Sequence, residues 1–285
     1  RSAPKTLEDF TEEYLDWIHQ AKALNTYILV RGTFKGLMAY IAPETPISKI
    51  TRQQLDHIQA DMTRTAKPST INTRFRCLST ASQKAVEWGY LDKDKNPFAA
   101  VKALKEQEIF PRYLEQEEIA RILAAEKHPR FLALWSFLLL TGCRRAEAMS
   151  LTWRDIDFAS GRITVTKTKN RRAKIVYITE ALRGVLEALG PGIGKLWPWS
   201  LSHASRRFKQ HVRRLGIEAR LHDLRHTSIS YAVMSGIDLY TAGKLAGHRD
   251  LKSTQRYAHL SPDHMEQAQA KLANALNLRT VPQNH

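Results

Sequence analysis

Cysteine is nearly missing from this chain: Cys77 and Cys143 are the two among 285 residues. Two thiols supply neither a disulfide framework nor a four-thiolate zinc site. Long apolar runs are missing as well. The longest, Phe131–Leu140, covers ten residues, whereas a helix across a bilayer needs about 20, so a soluble protein with no membrane partner is expected. No low-complexity tract, internal repeat or secretory signal stands out. Negative charge is also short, with 28 Asp+Glu against 44 Lys+Arg and a formal net charge of +16. Hydrophobic residues make up 43% and charged ones 25%, so the basic excess is not the mark of a disordered chain. A folded protein with its positive charge spread along the sequence points to a polyanion.

The first hundred residues read as a small bundle of four helices. Leu7, Phe10, Tyr14, Leu15 and Ile18 recur at helical spacing, and a second apolar series runs from Tyr27 to Ile41 before Pro43 and Pro46 interrupt it. Gln53–Met62 follows with Thr51 as N-cap, and Ser69–Trp88 is closed by Gly89. On that fourth helix Ile71, Phe75, Leu78, Ala85 and Trp88 share one side. Thr73, Arg76, Thr80 and Lys84 lie opposite, where they are either a solvated face or a face for DNA.

Leu104–Arg112 is polar, ends near Pro111 and reads as a linker. Three segments are therefore expected: a helical domain over 1–105, a linker over 106–112 and a second domain over 113–285. In the latter, helices over Glu115–Ala125 and Pro129–Leu140 precede Thr141-Gly142, and a turn is placed at Arg154-Asp155. Arg162–Thr166 and Lys174–Ile178 alternate as two strands joined by Lys167–Ala173. Helices return from Glu180. The fold class is thus mainly α with a small antiparallel β-sheet.

Four places carry chemistry. His222, Arg225 and His226 share one face of a helix, which suits a phosphate clamp, a zinc pair with His248 as a distant third ligand, or an ordinary charged surface. Asp223 follows the first histidine where a zinc hydrolase of that pattern wants the longer Glu. Arg144 lies three residues before Glu147, as an oriented guanidinium or an exposed ion pair. Lys167–Arg172 is a basic hairpin tip. Tyr257, nine residues after His248, is a nucleophile or a packed aromatic.

Taken together and in order, these segments resemble the tyrosine recombinase (phage integrase) family over nearly the full length. Thr141–Glu147 matches its first arginine box, His222–His226 its H-x-L-R-H box, Gly247-His248 its L-G-H element and Tyr257 its nucleophile. Counting back from Val176-Tyr177 to the hairpin lysine lands on Lys169, with Lys167 in reserve because Tyr177 stands where the family has Pro. The N-terminal helices resemble the family's SAM-like core-binding domain.

The resemblance implies a DNA breaking-rejoining enzyme that needs no cofactor and no metal. Tyr257 attacks the scissile phosphate to give a 3′-phosphotyrosyl link. Arg144 and Arg225 hold the non-bridging oxygens, Lys169 protonates the leaving 5′-oxygen, His222 moves protons around Tyr257 and His248 donates to the phosphate, while Glu147 supports Arg144. Thr73, Arg76, Lys84, Arg171 and Arg172 would grip the DNA backbone. The implied partners are double-stranded DNA, three further copies in a homotetramer on two sites joined through a Holliday junction, and accessory DNA-bending factors. The implied setting is the cytoplasm, at the nucleoid, of a bacterium or a phage-infected cell. The final helix near Asp263–Leu278 would dock on a neighbouring copy or on its own domain. The competing expectations are a type IB topoisomerase-like nicking-closing enzyme, a catalytically inactive DNA-binding relative and the zinc hydrolase.

Overall fold

The computed structural model describes residues 4–107, 110–166, 173–248, 250–261 and 265–276. The chain divides into two compact units, residues 1–108 and 109–285.

The first unit is built from α1 (Leu7–Ala21), α2 (Leu24–Leu37), α3 (Arg52–Met62) and α4 (Pro68–Glu87). Both expected starts are capped by side chains. Thr6 accepts from the Asp9 amide ahead of α1, and Thr51 accepts from the Gln54 amide at 3.2 Å while the Gln54 side chain reaches back to the Thr51 amide at 2.8 Å. The apolar faces meet in one core that includes Phe10, Tyr14, Phe34, Leu55, Ile71, Phe75 and Leu78. Asn72 closes this unit on its exit strand. It donates to the Leu104 carbonyl at 2.9 Å and to Glu106 Oε1 at 2.7 Å, and it accepts from the Leu104 amide at 2.8 Å.

In the second unit α5 (Gln116–Ala125), α6 (Pro129–Thr141) and α7 (Arg145–Ser150) precede a three-stranded antiparallel sheet. Its strands are β1 (Ile156–Asp157), β2 (Arg162–Val165) and β3 (Lys174–Tyr177), in that order. β1 was not expected; two residues are too short to show an alternating pattern. Ile163 pairs with Val176 and Val165 with Lys174, so Lys174 shares the inward face of β3 with buried Val176. Then follow α8 (Glu180–Glu187), α9 (Leu201–Arg214), α10 (Asp223–Met234), α11 (Leu239–Ala246), α12 (Lys252–Gln255) and α13 (Met265–Ala275).

α6 is apolar almost all round and runs through the centre, with Leu134, Trp135, Phe137 and Leu138 buried. A separate small core joins α10, α11 and the α12 segment through Ile229, Val233, Ala242, Ala246 and Tyr257. Among the described residues no helix is long and apolar enough to cross a membrane.

Candidate active site

α6 ends on Gly142, whose φ of 58° is left-handed and ordinarily glycine's. That turn leaves the Gly142 carbonyl pointing inward and puts Arg144 at the start of α7. Arg144 Nη1 donates to Glu147 Oε1 at 2.8 Å, and the Arg144 amide donates to Glu147 Oε2 at 3.1 Å. Glu147 is buried. Its carboxylate therefore acts as the orienter that the sequence allowed, fixing both the backbone and the guanidinium of Arg144.

Arg225 is more deeply enclosed, 4% exposed on α10. Its Nη1 donates to the carbonyls of Gly142 (2.6 Å) and Ala246 (2.7 Å), stitching the end of α6 to the end of α11. Burial, and next the nearby Arg144 charge, lower its pKa to about 10. The group stays cationic at neutral pH and has no carboxylate within ion-pair distance among the described residues. Its remaining N–H groups are left to seek an anion.

α11 also ends on a left-handed glycine, Gly247, with φ 72°. A Cβ there would lie 3.2 Å from Lys174 Cδ and 3.7 Å from Arg144 Nη1, so the bare backbone lets two cationic side chains converge. His248 follows, held by Thr254 Oγ1 at 2.7 Å from its Nδ1. Burial, then Arg225 and Arg144, push its pKa down to about 4. Gly243 is required one turn earlier, because a Cβ would come within 2.6 Å of Thr254 Oγ1.

Tyr257 sits inside the small core, 1% exposed, with its hydroxyl 2.5 Å from His226 Nδ1. Burial raises the phenol to about 12 while Arg225 and Arg256 oppose the rise, and burial and then His222 lower His226 to about 4. The hydroxyl and a neutral imidazole therefore share one hydrogen bond. His222 stands behind it, ring centroid 4.9 Å from that of His226, with its pKa lowered by burial and by Arg225 and with Nδ1 buried without a partner.

Of the residues picked out from sequence, the structure brings Arg144, Glu147, His222, Arg225, His248 and Tyr257 into one neighbourhood. Lys169, Arg171 and Arg172 lie outside the described residues, as does the alternative Lys167. Two neighbours of this group went unselected. His226, read only as half of a zinc pair, is the residue that touches the Tyr257 hydroxyl; its signal was its position next to Arg225 on the same helical face. Lys174, read as a strand residue, points inward; its signal was the two-residue period that puts it on the side of Val176.

Asp223 is spent on Arg220, accepting from its amide at 2.8 Å and from Nη2 at 3.4 Å. Among the described residues no three His, Cys, Asp or Glu side chains group as a metal site.

The Phage integrase family matches residues 112–191 and 195–264, and the Phage integrase SAM-like domain matches 6–103. The chain belongs to the phage integrase family. A putative integrase of Pseudomonas phage Pf1 is 31% identical to it over 71% of this chain and 61% of the phage protein. The tyrosine recombinase XerA of Saccharolobus solfataricus is 32% identical over 59% of each. This integrase-family chain thus spans about three fifths of the length of these curated relatives. Its fold is that of lambda integrase, solved as a tetramer bound to a Holliday junction: TM-score 0.76, 20% identity, 90% of this chain and 78% of that one.

In the first unit the proposed DNA face of α4 is divided. Arg76 and Thr80 are exposed. Thr73 and Thr80 return their hydroxyls to the carbonyls of Ser69 (2.8 Å) and Arg76 (2.9 Å). Lys84 departs from the expectation. Its ammonium lies 4.8 Å from the Trp17 ring centre and 5.6 Å from that of Trp88, and it pairs with Glu87 at 2.7 Å. A four-carbon stem reaches around the helix, so a projection at 100° per residue misplaces its charged end.

Proposed function

We propose that this chain is the core-binding and catalytic part of a site-specific DNA recombinase that cleaves and rejoins duplex DNA through Tyr257. The observation that carries the proposal is the Tyr257 hydroxyl on neutral His226, next to a buried Arg225 with no carboxylate within ion-pair distance among the described residues and beside Arg144. The same reading makes 1–105 a core-binding domain, 106–112 a linker and 113–285 the catalytic domain.

Tyr257 attacks the phosphorus atom of one diester, forming a 3′-phosphotyrosyl bond and releasing a 5′-oxygen. Its proton leaves through His226, with His222 behind. Arg144, aimed by Glu147, and Arg225 stabilise the charge that grows on the non-bridging oxygens. One such preorganised donor is worth roughly 3–4 kcal/mol, or about a hundred- to a thousandfold in rate. His248, fixed at Nδ1 by Thr254, offers Nε2 to the same phosphate. Lys169 supplies the proton to the leaving 5′-oxygen. The new ester keeps the phosphate activated, so a 5′-hydroxyl from another strand reverses the step without ATP. Strand exchange of this kind needs two duplexes and four copies; lambda integrase was solved as a tetramer bound to a Holliday junction. Accessory DNA-bending proteins would act on the flanking DNA. Thr73 adds an uncharged backbone contact, while Arg76, Arg171 and Arg172 add charged ones, each steepening the salt dependence of binding by roughly 0.9 in log–log slope.

The test is a library of nicked duplexes with a randomised centre. Wild type should leave a covalent protein–DNA band on a denaturing gel, and sequencing the attached strands gives the preferred site. Tyr257→Phe should bind the recovered site and form no band. A band in Tyr257→Phe would remove the tyrosine from its role. Relaxation of a supercoiled plasmid without exchange between two sites would mark a topoisomerase instead.

A further inference from the structure

Lys174 is an inward-facing lysine that has no carboxylate within ion-pair distance among the described residues. It opens β3, and its stem crosses the bare backbone of Gly247. Its Nζ makes two polar contacts, to the Thr141 carbonyl and to Cys143 Sγ, both at 3.5 Å, the outer edge of hydrogen bonding. No carboxylate among the described residues lies within 4.0 Å of it. Glu147, the acid whose charge it feels most, is already committed to Arg144. Arg225 bears on it from α10, Cys143 from the turn after α6 and Glu147 from α7; burial lowers its pKa and Arg225 adds to the effect.

An ammonium withdrawn from water without a counter-ion costs folding free energy. A hydrophobic residue of similar length would fill the same slot more cheaply. Such a group persists in a cleft because something that enters the cleft needs it. Here Lys174 and Arg144 both approach the bare backbone of Gly247, and Arg225 is hydrogen-bonded to the neighbouring Ala246 carbonyl. Three cations are thus gathered around one turn, with the buried Glu147 carboxylate paired to Arg144. The complementary ligand is a compact oxyanion.

We propose that Lys174 is a further catalytic residue, whose ammonium contacts a non-bridging oxygen of the scissile phosphate alongside Arg144 and Arg225. The proposal rests on the recombinase reading above. Lys174 keeps its proton through the reaction, forming no bond and releasing none, so its part is separate from that of the proton donor to the 5′-oxygen.

Two variants test it, Lys174→Met, which keeps the stem and removes the charge, and Lys174→Arg, which keeps the charge. In phosphate-free buffer Lys174→Met should melt higher than wild type, because an uncompensated charge is gone. Inorganic phosphate should raise the melting temperature of wild type and Lys174→Arg, and raise that of Lys174→Met much less. On the nicked duplex recovered from the library, Lys174→Met should form adduct about a hundredfold more slowly, and Lys174→Arg should recover part of the rate. A duplex with sulfur at the 5′-bridging position has a leaving group that needs no proton; it should rescue Lys169→Ala and leave Lys174→Met slow. The proposal is overturned if Lys174→Met keeps the wild-type response to phosphate, if it forms adduct at the wild-type rate, or if sulfur restores it. If wild type itself forms no adduct on any duplex, the recombinase reading fails, while the phosphate response separately decides whether Lys174 binds an oxyanion.

Discussion

Acid should destabilise the second unit well before it titrates the carboxylates, because three histidines are held neutral there. His226 and His248 each drop from 6.5 to about 4, and His222 moves the same way, with burial as the leading cause in all three. In the unfolded chain these rings take a proton below about pH 6.5; in the folded chain His226 and His248 resist until about 4. Their contribution is therefore complete above pH 6.5 and is lost as the pH falls towards 4. Full burial would make each worth about 3 kcal/mol. Both rings are only partly buried, so half that value is reasonable, or about 3 kcal/mol for the pair. For a unit of this size that is a fall of about 6–12 °C in melting temperature.

The carboxylates with lowered pKa, such as Asp157 and Asp238, start from 3.8 and lose their contribution only below that value, so the two windows are separate. The assay is urea unfolding at a series of pH values between 7 and 4.5, following the two units separately. The first unit holds none of the three histidines and serves as the reference. In His226→Asn and His248→Asn the amide oxygen replaces Nδ1 as acceptor for Tyr257 and Thr254, so the double variant should keep its stability at neutral pH and lose most of the acid dependence. An unchanged acid slope in that double variant would refute the reasoning.

Arg225→Lys leaves one of the carbonyls of Gly142 and Ala246 without its donor; stability should fall by about 1–3 kcal/mol in urea unfolding, with adduct formation down about a hundred- to a thousandfold. Gly243→Ala should cost about 1–3 kcal/mol by driving a methyl into Thr254, and adding Thr254→Ala should return part of the loss in a melting experiment. Asn72→Ala removes three hydrogen bonds that hold residues 104–106, so limited proteolysis should cut that stretch sooner than in wild type.

The helices were legible because their apolar spacing is long and regular, and Thr51 announced its cap through Gln54. β1 escaped because it has no length to carry a period. At the site, Arg144 with its partner Glu147, and Arg225 and Tyr257, were legible as residue types in order, yet the partners of Arg225 and Tyr257 were not. That the Tyr257 hydroxyl meets His226 depends on how α12 packs against α10, a contact across 31 residues of sequence. Lys174 was read only as the first residue of a strand; the register with Val165 turns it inward. Lys84 misled for the converse reason, its long stem folding onto Trp17 and Trp88.

The enclosure of Tyr257 bears on which electrophiles can reach it. Its ring belongs to the five-residue core that ties α10, α11 and the α12 segment together. Drawing an aromatic of this kind into water costs about 2–3 kcal/mol, so at most about one molecule in thirty would offer the phenol to the bulk at any instant. Reagents that nitrate or acylate tyrosine from solution should modify Tyr257 far more slowly than exposed Tyr177 or Tyr240. Packing thereby acts as a filter on reactivity, keeping the oxygen for an electrophile delivered between the two arginines.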